Sequence, residues 1–301
     1  MPQIRLTVEE EHQRLRLDVY LTKLLPEAPS RTFLKKLIET GQVEVNGQLV
    51  KTHYKVEQDD EIVVNWPEQE IEEELQPEEI PLDIFYEDPH LLVINKPAGL
   101  LVHPVPGKNT GTLVNALLHH SKTLSDVNSA FRPGIVHRLD RETSGLICVA
   151  KDNVSHARLA RQFEKHRIKK KYVALVKGDV AFEEGIVDEA LARHPQYFDK
   201  RAVSYDERQS KAAKTMYRVL QRFSGKATLV ALFPESGRTH QLRVHMAHIG
   251  HSILGDEKYG EKGSFPRMAL HAQMLGFVHP QTRNYVEFCT IIPPEFRNPA
   301  V

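Results

Sequence analysis

The stretch that decides the fold is Gly134 to Lys151, which reads Gly-Ile-Val-His-Arg-Leu-Asp-Arg-Glu-Thr-Ser-Gly-Leu-Ile-Cys-Val-Ala-Lys. It sets one carboxylate, Asp140, between the guanidinium groups of Arg138 and Arg141. An aspartate is ionised at neutral pH, and adjacent cations favour that form. Such a group is a poor general acid and a suitable nucleophile. A polar turn, Thr143-Ser144-Gly145, follows, and the apolar run Leu146 to Ala150 then reads as a buried strand. On the tripeptide Arg-Leu-Asp alone, a structural turn pinned by a surface arginine would serve as well.

Two further blocks lie downstream. Lys170-Lys171-Tyr172-Val-Ala-Leu-Val-Lys-Gly178 begins a strand-like run, and Gly237-Arg238-Thr-His-Gln-Leu-Arg-Val-His245 precedes a short helical pattern. With these in hand, the stretch around Asp140 resembles the signature of RluA-type pseudouridine synthases, His-Arg-Leu-Asp-x-x-Thr-Ser-Gly-Leu. It matches at His137 to Asp140 and at Thr143 to Leu146, with Glu142 where many members have Asp. The other two blocks resemble Lys-x-Tyr-x-Ala-Leu-Val-x-Gly and Gly-Arg-Thr-His-Gln-Ile-Arg-Val-His, with Leu242 for the more usual Ile. Asn95 to Leu100, Leu254-Gly255-Asp256 with Tyr259-Gly260, and Leu270-His271-Ala272 are similar to the same family, so the resemblance covers about 81–295.

The resemblance implies isomerisation of uridine to pseudouridine in RNA. In it Asp140 is the nucleophile, toward either the ribose anomeric carbon or the uracil ring. Arg238 orients the carboxylate, and Tyr172 stacks on the extruded base and assists removal of the carbon-5 proton. Arg138 fills the gap left by the flipped nucleotide. A guanidinium fork suits a carboxylate, and an aromatic ring restores the stacking that a flipped base loses. The implied fold is α+β, a mixed, mainly antiparallel sheet with flanking helices over 81–301.

Residues 14–66 read as a separate small α/β module. Leu17, Leu21 and Leu24 recur at helical spacing up to Pro26. A second helix is expected from Ser30, as N-cap, to Thr40, and Asn46-Gly47 marks a hairpin. Arg31, Lys35 and Lys36 share one side of that second helix. The module resembles the S-four-type RNA-binding module, which implies that these three side chains contact RNA. A plain solvated helix face is the alternative. Residues 67–80 carry seven acids, two prolines and no base, and read as an extended acidic linker.

The formal net charge of zero hides a division: residues 81–301 carry thirty-one bases against twenty-two acids. Basic excess fits a polyanionic partner. Its densest part surrounds a helix expected over 153–166, with Val154, Ala157, Ala160 and Phe163 toward the core and a run that includes Lys169 and Lys170. Arg138, Arg141, Lys169 and Lys170 are accordingly expected on RNA.

Two cysteines in 301 residues give no disulfide framework and fit a reducing cytosol. The first ten residues have no signal-peptide pattern, and no apolar run reaches membrane-spanning length. His240, His245, His248 and His251 invite a metal reading, but no cysteine or acid stands at zinc-motif spacing. With no dinucleotide or Walker loop either, the expectation is an enzyme without metal or cofactor, cytoplasmic and monomeric. Ribosomal RNA of the large subunit is the first choice of substrate and transfer RNA the second. An RNA-binding assembly factor without activity and a histidine-based metallohydrolase are the readings from other classes.

Overall fold

Two units divide the chain, Met1–Glu73 and Glu74–Val301. The computed structural model describes residues 3–26, 28, 31–66, 75–105, 108–127, 132–297 and 299.

The small unit comprises β1 (Gln3–Thr7), α1 (Leu17–Leu24), α2 (Arg31–Glu39), β2 (Val43–Val45), β3 (Gln48–Leu49) and β4 (Glu61–Asn65). Its sheet runs β1-β4-β2-β3. Leu17 and Leu21 of α1 are fully buried and pack with Leu34, Leu37 and Ile38 of α2. Each such side chain contributes about 1.5–3 kcal/mol by leaving water. Asn46 and Gly47 both have positive φ (51° and 74°), as a primed hairpin turn requires. The unit also holds a strand that the sequence reading did not include. β1 lies before residue 14 and pairs antiparallel with β4 from Gln3↔Asn65 to Thr7↔Glu61. The expected N-cap Ser30 lies outside the described residues.

The large unit opens with β5 (Ile84–Glu87), β6 (Leu91–Lys96), α3 (Leu113–His120), β7 (Ser144–Ala150) and α4 (Asn153–Glu164). It continues with β8 (Lys169–Lys177), β9 (Glu184–Asp188), β10 (Leu191–Arg193), β11 (Arg201–Val203), β12 (Lys214–Phe223) and β13 (Ala227–Pro234). The last elements are α5 (Gln241–His248), β14 (Leu270–Val278), β15 (Tyr285–Cys289) and α6 (Pro294–Arg297). A nine-stranded sheet runs β5-β6-β7-β14-β8-β13-β12-β9, with β15 beside β14, while β10 and β11 form a separate hairpin. Among the described strands every pairing is antiparallel except β7 with β14. The fold is therefore α+β with a mixed, mainly antiparallel sheet.

β7 is buried along its whole length. Ile147 and Val149 face one core, with Leu92, Ile94 and Leu113, while Leu146, Cys148 and Ala150 face another, with Leu159 and Phe277. A strand covered on both faces needs an unbroken apolar run, which is what the sequence carries. Gly145 (φ 110°) lies against the backbone of Ala272, where any Cβ would strike the peptide.

Two expectations about packing change. On α4 the buried residues are Ser155, His156 and Leu159, with Phe163 half-buried, and Val154 is exposed. The core-facing stripe is thus turned from the expected one, because Leu159 and Phe163 reach the core beside β7. Residues 75–80, expected in the linker, lie on the large unit. Leu75 packs against the core around Leu92 and Leu113. Glu78 accepts the Gly111 amide (2.9 Å), and Asn115 Nδ2 donates to the Gln76 carbonyl (2.9 Å). Residues 67–74 lie outside the described residues.

Candidate active site

Asp140 lies in the loop that enters β7, and a buried lysine ties that loop down. Lys96, at the end of β6, is fully buried and donates to the carbonyls of Pro97 (2.8 Å), Leu100 (2.9 Å) and Arg141 (3.0 Å). Burial pushes its pKa down to about 8, against the pull of Glu142 and Asp140. Arg141 adds to the tie: its Nε donates to the Gly99 carbonyl, and the Gly99 amide donates to its own carbonyl. Behind the loop, His137 Nε2 accepts the Cys148 amide (2.9 Å). Burial and the charge of Lys170 hold that ring neutral, with its pKa down at about 3. The segment on both sides of Asp140 is thus fixed before any substrate binds.

Facing it, α5 presents Arg243. Its Nη1 lies 3.1 Å from Asp140 Oδ2, and its Nε and Nη2 each meet a carboxylate oxygen of Asp256 at 2.7 Å. The Arg243 side chain is 7% exposed, that of Asp256 0% and that of Asp140 19%. Burial opposes charge on Arg243. The hydrogen bonds and charge of Asp256, then those of Asp140, outweigh it and raise the pKa above the usual guanidinium value. Burial likewise opposes charge on Asp256, and Arg243 holds that carboxyl below the usual range. One cation therefore serves two carboxylates, a buried one that fixes it and a partly open one that it orients.

Arg238 does not fill the orienting role expected of it. It lies in the turn before α5, is exposed, and donates from Nε to the Ala212 carbonyl (3.2 Å). Arg243 stands five positions on, in the first turn of the helix and on its buried face. Arg238 also joins Arg193, Arg201 and Lys211 in a groove of about 610 Å³ whose lining contains no carboxylate.

Asp140 lines two adjoining spaces. One is a cleft of about 940 Å³ shared with Arg138, His240, Arg243, Lys258 and Arg267. The other is a narrow pocket with Thr143, Lys170, Tyr172, Arg238 and Leu270. Burial and, secondly, the charge of Asp140 push the Tyr172 phenol up, so it stays protonated. Lys170 stands two residues before Tyr172 on β8, on the same side of the strand. Its Nζ donates to the Ser236 carbonyl (3.0 Å), and burial pushes its pKa down to about 8. It is a pocket residue rather than a purely surface cation. Arg138 and Lys169 are exposed, and Lys169 lies 5.1 Å over the Tyr285 ring.

In the small unit Asp18 is fully buried, and burial works against its charge. Arg16 (3.0 Å) and Arg31 (2.8 Å) outweigh that and hold its carboxyl below the usual range, with Lys35 at 3.7 Å. Arg31 and Lys35 therefore share a carboxylate from α1 with Arg16, while Lys36 is exposed. Among the histidines, His245 commits both ring nitrogens, to Thr215 Oγ (2.9 Å) and the Glu189 carbonyl (3.0 Å), which leaves none for a metal.

Sequence reasoning missed Lys96, Asp256, Arg243 and His240 as site residues. Arg243 lies in a block already singled out, and Asp256 in the Leu254-Gly255-Asp256 stretch. The available signal was chemical: a buried arginine beside a catalytic carboxylate needs a second acid.

Residues 90–248 match the RNA pseudouridylate synthase family, and residues 15–62 match the S4 domain. The chain is 43% identical to an RNA pseudouridine synthase of Bacillus subtilis, YlyB, itself uncharacterised, over 98% of this chain and 96% of that one. It is 43% identical to the ribosomal large subunit pseudouridine synthase D of Zymomonas mobilis, over 99% and 96%. Among solved structures it is similar to human RNA pseudouridylate synthase domain containing 1, with a TM-score of 0.59 at 29% identity, over 70% of this chain and 83% of that one. No described helix is long and apolar enough to cross a membrane. The chain belongs to the RNA pseudouridylate synthase family: it is an RNA-binding isomerase with an S4 domain toward its N-terminus.

Proposed function

We propose that this enzyme converts specific uridines of large-subunit ribosomal RNA to pseudouridine, in the cytoplasm, as a monomer without metal or cofactor, with Asp140 as nucleophile. The observation that carries the assignment of roles is the Asp140–Arg243 pair at 3.1 Å, standing where a cleft and a narrow pocket meet. The substrate follows from relatives that are named ribosomal large subunit pseudouridine synthase D and match nearly end to end.

In the reaction the bond from ribose carbon 1′ to uracil nitrogen 1 breaks, the base turns, and carbon 1′ joins carbon 5. The carbon-5 hydrogen leaves as a proton, and nitrogen 1 takes one up. Nothing is oxidised or reduced. Asp140 supplies the electron pair for a temporary bond, to ribose carbon 1′ or to the uracil ring, which breaks again as carbon 1′ joins carbon 5 and returns the pair to the carboxylate; Arg243 orients that carboxylate. Tyr172 stacks on the base. Arg138, Lys169 and Lys170 contact the RNA around the pocket, Arg238 sits in the cationic groove that continues it, and Lys36 with Arg31 and Lys35 binds RNA from the S4 domain.

The test is a map of pseudouridines in ribosomal and transfer RNA from cells with and without the gene. Specific positions in large-subunit ribosomal RNA should lose the modification. Wild-type protein should restore it, while Asp140→Asn, slower by roughly four orders of magnitude, should not. Loss confined to transfer RNA would reassign the substrate, and restoration by Asp140→Asn would remove Asp140 from its role.

A further inference from the structure

A second group faces the Asp140 carboxylate. His240 immediately precedes α5 with left-handed backbone angles (φ 59°, ψ 16°), a conformation uncommon for a residue with a side chain. Its side chain is 12% exposed, and its Nε2 lies 3.9 Å from Asp140 Oδ2, the oxygen that Arg243 holds at 3.1 Å. On the far side of the ring, Nδ1 lies 2.7 Å from the Tyr259 hydroxyl. That hydroxyl is itself 2.7 Å from the backbone amide of Arg201, at the start of β11.

These contacts favour one arrangement of protons. A backbone amide only donates, so the Tyr259 oxygen accepts from Arg201. Its one proton is then free for His240 Nδ1, and in that arrangement the imidazole proton stands on Nε2, toward Asp140. Burial keeps the ring neutral, with its pKa at about 4 despite the pull of Asp140. Tyr259 also backs the other donor: the Arg243 guanidinium carbon lies 5.1 Å over its ring. Both groups that face Asp140 therefore lean on one tyrosine, Arg243 on its face and His240 on its hydroxyl.

We propose that His240 is a positioning residue for Asp140, presenting an uncharged N–H that takes hold of the carboxylate when it turns from Arg243 toward the substrate, and that Tyr259 fixes this ring in the required tautomer. At 3.9 Å the contact is outside hydrogen-bond distance, so the N–H is one small carboxylate rotation away. An uncharged donor steers the nucleophile without adding a second full positive charge that would weaken it. The inference rests on the reading of Asp140 as nucleophile.

The experiment uses the full chain. Single-turnover rates and RNA affinities are measured for Tyr259→Phe, His240→Ala, His240→Gln and Asp140→Asn, with imidazole ¹⁵N spectra of the wild type and Tyr259→Phe. Tyr259→Phe keeps the ring under Arg243 and removes only the hydroxyl. It and His240→Ala should slow single turnover about threefold to tenfold, the worth of one neutral hydrogen bond, with RNA affinity within about twofold of wild type. His240→Gln, whose amide places an uncharged donor at the same reach, should recover to within about twofold. The spectra should report an Nε2-protonated His240 that loses this preference in Tyr259→Phe. Wild-type rates in both Tyr259→Phe and His240→Ala would overturn the proposal. So would a His240→Gln rate as low as that of His240→Ala, which would make the ring a structural rivet. Where His240→Ala fails to fold, Tyr259→Phe and His240→Gln decide. Near-wild-type turnover by Asp140→Asn would instead remove the nucleophile reading beneath it, and the proposal with it.

Discussion

Arg243→Lys separates the arginine that the structure sets on Asp140 from Arg238, the one expected from sequence. The substitution keeps the positive charge and removes the fork. Arg243 makes two 2.7 Å bonds to Asp256 and one of 3.1 Å to Asp140, and a lysine ammonium at that depth reaches one carboxylate at a time. Asp256 is the buried acid, with the greater need of a partner, so the ammonium should stay with it. At the buried Asp256 one of two charge-assisted hydrogen bonds is then lost, about 1.5–3 kcal/mol. For a unit of this size that lowers the thermal midpoint by roughly 3–12 °C. Asp140 loses its cationic hydrogen bond altogether. If the same 1.5–3 kcal/mol is felt in the transition state, single turnover slows about 10- to 200-fold. Arg238→Lys, exposed and bonded only to a carbonyl, should stay within about threefold in rate and about 0.5 kcal/mol in stability. The assay is release of tritium from uracil carbon 5 of a short target RNA, with enzyme in excess and temperature well below both midpoints. An Arg243→Lys rate within about threefold of wild type, or an Arg238→Lys rate more than about threefold below wild type, would refute the reasoning.

Other perturbations test the support around the site. Lys96→Met strands three carbonyls but relieves the burial of a charge, so urea unfolding at pH 7 should show a net loss of about 2–4 kcal/mol. The folded pKa of Lys96, about 8, lies below its ordinary value of about 10.4, so between those values the unfolded chain holds the proton. Wild-type stability should therefore gain from this group as pH rises from 8 to 10, and Lys96→Met should lack that gain. His271, buried between Ser144 Oγ (2.9 Å) and Thr290 Oγ (2.7 Å), has its pKa pushed down to about 4 by burial and then by Arg267. Its contribution is intact above the ordinary value of about 6.5 and is lost as pH falls from there to about 4. His271→Gln, which does not titrate, should show a shallower fall in thermal midpoint over that range. A truncated chain beginning at Glu74 should melt several degrees above one beginning at Pro81, because Leu75 and Glu78 keep their contacts; equal midpoints would return residues 75–80 to the linker.

Asp140 and Tyr172 could be singled out because each sits in an unbroken block that resembles the family signature, and the structure brings both to one pocket. The arginine partner could not. Arg238 and Arg243 lie in one nine-residue block, and only the point where the helix begins decides which of them turns inward. The basic face of α2 was legible as charge, yet Asp18, which takes Arg31 and Lys35, lies thirteen residues before Arg31 on another helix. β1 was missed for a related reason. Its alternation, Gln-Ile-Arg-Leu-Thr, is only five residues long, and its partner β4 lies more than fifty residues on. Strands are short patterns whose meaning is completed elsewhere, whereas the buried run of β7 needed no partner to be read.

The parallel pairing of β7 with β14 carries a consequence for the order in which the enzyme acquires activity. On one side of that seam lie β5, β6 and β7, joined by antiparallel pairings; on the other lie β14, β8, β13, β12 and β9. The seam, His271↔Ser144 and Ala272↔Gly145, closes over more than 120 residues of intervening chain. Contacts of such span are entropically costly to close and tend to form late. Asp140 enters from the first side, while Tyr172 and Arg243 come from the second. Until the seam closes and Leu275 and Phe277 complete the core under β7, the nucleophile remains without its orienting cation. In a folding time course, native-like secondary structure should precede any turnover, and catalysis should switch on with the closing of this one seam.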